Sequence, residues 1–300
     1  MSLWIPITLA AAVFQTLRFM LQKTLSTGQL SAVGATFARF AYSAPLIWIV
    51  LASYLYATGQ TLPVPGAVFW PYALIGGLSQ ILATICVVML FKQRNFAVGI
   101  TFKKTEVIQT AIVGFLVLGE GVSLGGSVAI LLGLAAVLVL SKPPGSTGAW
   151  WTHLSNRASA LGLGSGVLFA FSAVGYRGAT LQFGDMEPAL RAGVTLGFVV
   201  TFQALIMAAW LLWKDRDELR AVWRTRRVAM FVGLTSMGGS FCWFYAFTLQ
   251  NAAYVKALGQ IELILSLLAS VLFFREKITL REMVGMGLLG LSIVTLVLTI

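Results

Sequence analysis

Two short polar motifs could do chemistry inside this otherwise apolar sequence. Lys103, Lys104 and Glu106 stand together in one apolar run. Gln260 and Glu262 stand together in another. Charged side chains inside such runs are energetically costly and usually functional. A cation that binds a carboxylate, beside an acid that accepts from an ammonium group, would suit a zwitterion such as an amino acid.

The two glutamates of these motifs are expected to differ in their partners. Glu106 is three residues after Lys103, so the two can pair on one helical face, and Glu106 should stay ionised beside Lys103 or Lys104. Glu262 has no cation at that spacing, and Gln260 is its nearest polar neighbour. We therefore expect Glu262 to handle a coupling proton or a substrate ammonium. The alternative is that both glutamates only hold helices together.

Aromatic side chains provide candidate walls for a binding cavity. Positions 241–245 carry a dense apolar string that includes Trp243 and Tyr245, and Tyr42 lies in an earlier run. Aromatic walls with a few polar groups suit an amphipathic organic molecule better than an inorganic ion. The predicted substrate site therefore comprises Lys103, Lys104, Glu106, Gln260, Glu262, Tyr42, Trp243 and Tyr245.

The elements that must position these residues are long apolar runs. Hydrophobic residues make up 58% of the 300 residues and charged residues only 10%, against about 45–50% and about 25% in soluble domains. A membrane-spanning helix needs about 20 mostly apolar residues. The sequence thus predicts an all-α polytopic membrane protein with ten transmembrane helices. They cover about residues 3–22, 31–57, 69–91, 97–118, 124–140, 160–181, 188–213, 227–249, 253–274 and 280–300.

The ten runs form two halves with matching features. A shift of 156 positions places Cys86 on Cys242, Glu106 on Glu262 and Glu120 on Glu276 without a gap. Residues 1–140 and 160–300 then form two five-helix repeats, and residues 141–159 form a cytoplasmic linker. Because five is odd, the second repeat must enter the membrane inverted. Inverted repeats are typical of secondary transporters, with a binding cavity between the halves.

The distribution of charge predicts the orientation. Fourteen of the 21 Lys and Arg residues follow the odd-numbered runs, and cytoplasmic loops carry the excess of such residues. Both termini are then extracytoplasmic, in a bacterial-type inner membrane. This distribution also accounts for the net charge of +11, so no nucleic-acid partner is expected; the expected partners are a small-molecule substrate and the lipid bilayer.

Catalytic and cofactor signatures are not visible. The one histidine, His153, lies in the linker, and Cys86 and Cys242 lie deep in apolar runs without metal-ligand neighbours. We expect no enzyme activity, cofactor or metal. Three alternatives stay open: a membrane-embedded enzyme, a lipid-handling scaffold and a channel.

The chain resembles the drug/metabolite transporter superfamily in its ten-helix EamA-like branch. The resemblance rests on the two five-helix halves, on Arg39-Phe40, and on the junctions at residues 118–123 and 274–279, where Glu120 and Glu276 are followed by a short apolar and hydroxyl turn. Within that branch it is most similar to bacterial aromatic amino-acid exporters of the YddG type. The resemblance implies inverted repeats and alternating access around a central cavity.

The expected function is export of small organic metabolites. Amino acids, with aromatic ones favoured, are the preferred class because the polar motifs match a zwitterion. Other metabolites or cationic drugs are the alternative substrates.

Overall fold

The computed structural model describes residues 2–28, 30–91, 102–140, 157–265 and 279–300. Every regular element in these ranges is an α-helix. Residues 141–156 of the predicted linker lie outside them, as does Glu276. The helices are α1 (Trp4–Gly28), α2 (Ala32–Thr58), α3 (Phe69–Phe91), α4 (Glu106–Leu118), α5 (Leu124–Leu140), α6 (Arg157–Leu181), α7 (Pro188–Lys214), α8 (Arg216–Arg224), α9 (Arg226–Leu249), α10 (Ala252–Gly259) and α11 (Leu280–Thr299).

Most of these helices are membrane-spanning by length and composition. Across the ranges above, seven are long and apolar enough to cross a bilayer, namely α1, α2, α3, α6, α7, α9 and α11. Helices α4 and α5 are apolar but shorter. Large apolar side chains such as Leu116, Leu124 and Leu298 point outward, more than 70% exposed. The prediction of an all-helical, multi-pass membrane protein is confirmed.

Local sequence accounts for several helix ends. The Ser31 hydroxyl accepts from the Gly34 amide at 3.0 Å and starts α2. Glu187 accepts from two amides at the start of α7, directly before Pro188. Gly119 ends α4 with φ of 68°, a left-handed conformation that glycine adopts without steric cost. Such caps satisfy backbone groups that a helix end leaves unpaired.

Predicted helices 4 and 9 are interrupted where we expected them to continue. A turn occupies residues 104–105, and another occupies residues 260–261. The Thr105 amide donates to Phe102 O at 3.2 Å, and the Ile261 amide donates to Leu258 O at 3.1 Å. These i to i−3 bonds lie 156 positions apart, so both halves break in the same register. Apolar periodicity did not reveal the breaks, because interior backbone of this kind is tolerated when protein surrounds it.

Equivalent helices of the two halves make equivalent contacts with the other half. When the predicted spans are counted and the short α8 is left out, the first helix of each half packs along the third helix of the other, as α1 with α9 and α6 with α3. The first also contacts the fourth of the other, as α1 with α10 and α6 with α4, and the two fifth helices, α5 and α11, pack together. This reciprocity is the pattern that a two-fold relation between the halves produces.

Small residues allow the closest of these helix contacts. A Cβ on Gly175 would lie 2.8 Å from Tyr72 O and 2.9 Å from Gly76 Cα. In the α5–α11 pair, a Cβ on Gly133 would lie 2.8 Å from the Ser292 hydroxyl oxygen. Ser292 also donates to Ala129 O at 2.7 Å. Apolar lipid does not drive helices together, so close packing and interhelical hydrogen bonds contribute most to association.

Helix α8 was not expected, since the highly charged residues 214–226 lie between the predicted runs 188–213 and 227–249. Asp215 accepts from the Glu218 amide at 3.2 Å and starts this helix. Glu218 in turn accepts from the Ser31 amide at 2.6 Å, which ties α8 to the start of α2. The cap pattern of an aspartate three residues before a glutamate was the signal that could have predicted this helix.

Candidate functional site

A polar cavity lies where the two halves meet. Six helices line it, three from each half, and the free space between their side chains is narrow. A water-sized sphere fits only a small part of that space, so a substrate of amino-acid size requires the helices to move apart. The lining residues are Gln15, Arg18, Arg39, Gln80, Phe169, Ser172, Ala173, Tyr176, Gly239, Ser240, Trp243, Phe244, Phe247 and Lys256.

Arg39 joins the halves through neutral oxygens. Its guanidinium donates to the hydroxyls of Ser236 at 2.8 Å and Ser240 at 3.2 Å on α9, and to Thr84 at 3.1 Å on α3. The Arg39 side chain is buried, with 3% of its surface exposed. It is thus a positive charge held in position by hydroxyl groups.

Arg18 has a similar environment on α1. It donates to Gln22 at 2.7 Å, and Gln22 donates to Ala35 O at 3.2 Å. The guanidinium carbon also lies 4.2 Å from the ring centroid of Phe19. Within the described ranges, no carboxylate lies at ion-pair distance from Arg18 or Arg39. The positive charge of both guanidiniums is therefore not balanced by any carboxylate in the described ranges.

A hydrogen-bonded network forms another wall. Tyr176 donates to the Gln80 carbonyl at 2.9 Å, and Gln203 donates to the same oxygen at 3.0 Å. The Tyr176 ring stacks on Phe244 with centroids 4.1 Å apart. Because these polar atoms partner one another, the wall presents mainly aromatic faces.

An ion-pair cluster adjoins the cavity. Glu106 lies 3.5 Å from the Lys103 ammonium and 3.7 Å from that of Lys256. The first contact is the pair that the i, i+3 spacing predicted. The second joins α4 to α10, because Lys256 comes from the other half. All three side chains are less than 10% exposed.

Glu262 has a cation partner, contrary to our expectation. It pairs with Lys104 and also accepts from Gln15 on α1. The expectation failed because spacing reports neighbours on one helix, whereas Lys104 comes from the other half of the chain. Lys104 was also expected to be a possible partner of Glu106; the structure gives that role to Lys103 and Lys256.

Trp243 belongs to the cavity wall. Its indole N–H donates to the Gln15 carbonyl at 3.1 Å, and the Lys256 ammonium lies 5.0 Å from its ring centroid. Lys256 also lies 5.3 Å from the ring of Phe169. Cation–π contacts of this kind hold the lysine between two aromatic faces.

Three predicted site residues lie away from this cavity. Tyr42 packs against Gly233 of α9, and its buried hydroxyl has no hydrogen-bond partner among the described groups. Tyr245 packs against Phe241, with ring centroids 5.9 Å apart. Gln260 lines a separate small space together with Lys104. Residues two positions apart on a helix face different directions, so Tyr245 and Trp243 could not both reach the cavity.

Several lining residues were missing from the predicted site. Arg18, Arg39 and Lys256 were recognisable as charges within apolar runs, the same signal that identified Glu106. They were not assigned because no acidic residue lies within four positions of any of them in the sequence. Gln15 and Gln80 carry no charge, and only the tertiary structure places them at the cavity.

Another ion pair lies near the end of α4, apart from the cavity. Arg177 binds Glu120 with a shortest distance of 2.6 Å. The same guanidinium donates to Phe247 O at 2.6 Å and Gln250 O at 2.7 Å. Arg177 thus connects the turn after α4 to the end of α9, a contact between halves. Glu120 thus holds the turn after α4 against α6.

Metal ligation has no support in the ranges that the structure covers. No group of three or more His, Cys, Asp or Glu side chains is gathered there. Cys86 and Cys242 are free and half-buried.

The fold and the cavity define a multi-pass helical membrane protein with a polar site between two halves. Residues 156–298 match the EamA-like transporter family, whose members are membrane transporters of small metabolites. No curated protein matches the sequence. A solved structure titled only "Crystal structure of protein" is similar over 99% of this chain and 98% of that one, with a TM-score of 0.69 and 16% identity. At that identity the likeness shows a shared fold.

Proposed function

We propose that this chain is a secondary transporter that exports small organic metabolites by alternating access, with amino acids, and aromatic ones above all, as its substrates. The observation that carries the proposal is the cavity between the halves, lined by three helices from each half and by cations and aromatic rings together. The family match over residues 156–298 supports the transporter class. We place the protein in a bacterial-type inner membrane with both termini extracytoplasmic.

Inverted repeats are part of this proposal. The common register of the two helix breaks and the reciprocal packing of the halves support them. In transporters of this kind, broken helices surround a site near the bilayer midplane, and one half rocks against the other. The narrow cavity of the structure then corresponds to a state that must widen on one side to release substrate.

The proposed contacts follow from the groups that line and adjoin the cavity. A substrate carboxylate would bind the guanidiniums of Arg18 and Arg39, whose described partners are neutral. An aromatic side chain would lie against Trp243 and Phe169. Glu262 is the acid nearest to Gln15 on that wall, and we assign it to a substrate ammonium or a coupling proton.

Reconstitution tests the proposal directly. The purified chain in liposomes should show saturable, counterflow-stimulated movement of labelled phenylalanine, tyrosine or tryptophan, measured with and without a proton gradient. Labelled threonine and a cationic drug serve as comparison substrates. Transport of the cationic drug alone, or of none of the compounds above protein-free liposomes, would refute the proposal.

A matched pair of tryptophan variants localises the site. Trp243→Ala should raise the half-saturating concentration of aromatic substrates by about tenfold, since a buried aromatic side chain contributes about 1.5–3 kcal/mol. Trp213→Ala removes an 83% exposed tryptophan at the end of α7 and should leave transport unchanged. Equal effects of both changes would argue against Trp243 as a substrate contact.

A further inference from the structure

The buried interior of this protein carries more positive than negative charge. Seven charged side chains are buried within the described ranges, and five of them are cations. They are Arg18, Arg39, Lys103, Lys104 and Lys256, against Glu106 and Glu262. Positive charge therefore exceeds negative charge by three when every group is ionised.

The imbalance is not corrected by acids elsewhere in the fold. Glu120 binds Arg177, Glu187 and Glu282 cap helices, and Glu218 binds the Ser31 amide. Asp215 caps α8, and Asp217 binds Arg220 at a site 86% exposed. Asp185 lies in the turn before α7. Of the ten acids, Glu276 alone is outside the described ranges.

The excess is concentrated at the cavity. Arg18, Arg39 and Lys256 all line it, and none of the carboxylates in the described ranges does. Both buried glutamates stand behind the lining and are already engaged with lysines. Buried charge is very unfavourable without a partner. An anion in the cavity would therefore lower the electrostatic free energy of the buried cations. A zwitterion would lower it less, and a cation would raise it.

We infer that the preferred substrate of the cavity is an aromatic carboxylate with net negative charge. The cavity binds it at least as tightly as the amino acid of the same skeleton. The inference rests on the proposed export function, and it shifts the preferred substrate from the aromatic amino acid to the aromatic carboxylate that lacks the ammonium group. The guanidiniums of Arg18 and Arg39 hold the carboxylate, for which their planar forks are suited. The rings of Phe169, Trp243 and Phe244 contact the aromatic part.

Three ligands of one skeleton separate the possibilities. 3-Phenylpropanoate carries only the carboxylate, phenethylamine only the ammonium, and phenylalanine both. Binding to the full chain in detergent is measured by titration calorimetry. We expect 3-phenylpropanoate to bind at least as tightly as phenylalanine and at least about tenfold more tightly than phenethylamine, since hydrogen bonds to charged groups contribute about 1.5–3 kcal/mol.

Arginine variants assign the effect to the cavity. Arg39→Gln should weaken 3-phenylpropanoate by about tenfold or more and leave phenethylamine no weaker. Arg220→Gln, at a site 72% exposed, should change neither. Arg39→Lys keeps the charge but loses the fork, and it should bind with intermediate affinity. If Arg39→Gln does not fold, Arg18→Gln and Arg39→Lys carry the same comparison.

Two outcomes overturn the inference, and they differ in what they say about transport. If phenylalanine binds about tenfold more tightly than 3-phenylpropanoate, or phenethylamine equals it, the anion preference is wrong while the proposed export of amphipathic metabolites stands. If none of the three ligands binds and none is transported in liposomes, the aromatic substrate class fails together with the inference.

Discussion

Glu106 lies 3.7 Å from Lys256, across the boundary between the two halves of the chain. The opposite exchange also occurs, because Lys104 of the first half pairs with Glu262 of the second. Each half thus supplies one acid and one lysine to the other, directly beside a helix break. These two ion pairs join the halves beside the cavity.

Removing the Glu106 charge should destabilise the whole bundle. Glu106→Gln leaves Lys103 and Lys256 without their carboxylate in a buried site, and loss of one partner there costs about 3–5 kcal/mol. Thermal unfolding of the detergent-solubilised protein should shift clearly downward. Asp217→Asn, at a site 86% exposed, is the control and should not shift it, because exposed pairs contribute little. A Glu106 variant as stable as the control would show that the cluster does not hold the halves together.

Glu262 and Lys104 should behave as a coupled pair. Glu262→Gln and Lys104→Gln should each lower stability, and the double variant should be more stable than the sum of both losses predicts, with a coupling of about 0.5–3 kcal/mol. Thermal unfolding of the four proteins in the cycle provides the measurement. Simple additivity would mean that the pair contributes nothing.

The same Glu262 variant tests the proton assignment. If Glu262 carries the coupling proton, Glu262→Gln transport should lose its dependence on pH, because glutamine does not titrate. Initial transport rates in liposomes between pH 5 and pH 9 should then be flat, and Asp217→Asn should keep the native profile. An unchanged profile in Glu262→Gln would leave this glutamate with a packing role alone.

The Arg177–Glu120 contact should contribute to stability at its own end of the bundle. Arg177 satisfies two backbone carbonyls as well as Glu120, so Arg177→Gln should cost more than Glu120→Gln. We expect losses of about 1–3 kcal/mol for Arg177→Gln and less for Glu120→Gln. Thermal unfolding of both variants decides the order, and the reverse order would contradict the role of the carbonyls.

Close packing of α3 against α6 should make Gly175 intolerant of a side chain. Gly175→Ala places a methyl group 2.8 Å from Tyr72 O, and overpacking of this kind costs about 1–3 kcal/mol. Gly164→Ala, in the same helix with no described atom within 4 Å of the added carbon, should be neutral or stabilising, since alanine favours helix. Equal effects in the two variants would show that the helices can shift apart freely.

Cysteine labelling tests the predicted orientation of the chain in the membrane. In a variant without Cys86 and Cys242, a cysteine at Asp217 should react with a membrane-impermeant reagent only after the cytoplasmic face is exposed. A cysteine at Leu62 should react from outside in intact cells. A reporter fused after Ile300 should likewise behave as extracytoplasmic. Cytoplasmic reporter activity at Ile300 would overturn the orientation.

Much of the architecture could be predicted from the amino-acid sequence. Long apolar runs require helices, because backbone groups in lipid must be satisfied within the segment. The bounds of α3, α5 and α7 accordingly agree with prediction to within a residue. The Lys103–Glu106 pair was predictable because helical periodicity places the two residues on one face. The breaks at residues 104–105 and 260–261 were not, since the sequence is mostly apolar on both sides of each break.

The composition and order of the sequence by themselves determined the class of protein, the number of apolar runs and the presence of charge among them. Only the tertiary structure decided which charges meet. Lys256 reaches Glu106 and Lys104 reaches Glu262 over separations of about 150 residues, and Arg18 and Arg39 converge on one cavity from two helices. Partners within a helix follow from its period, whereas partners between helices depend on how far each helix is rotated and shifted against its neighbours. That arrangement is set by the packing of the whole bundle.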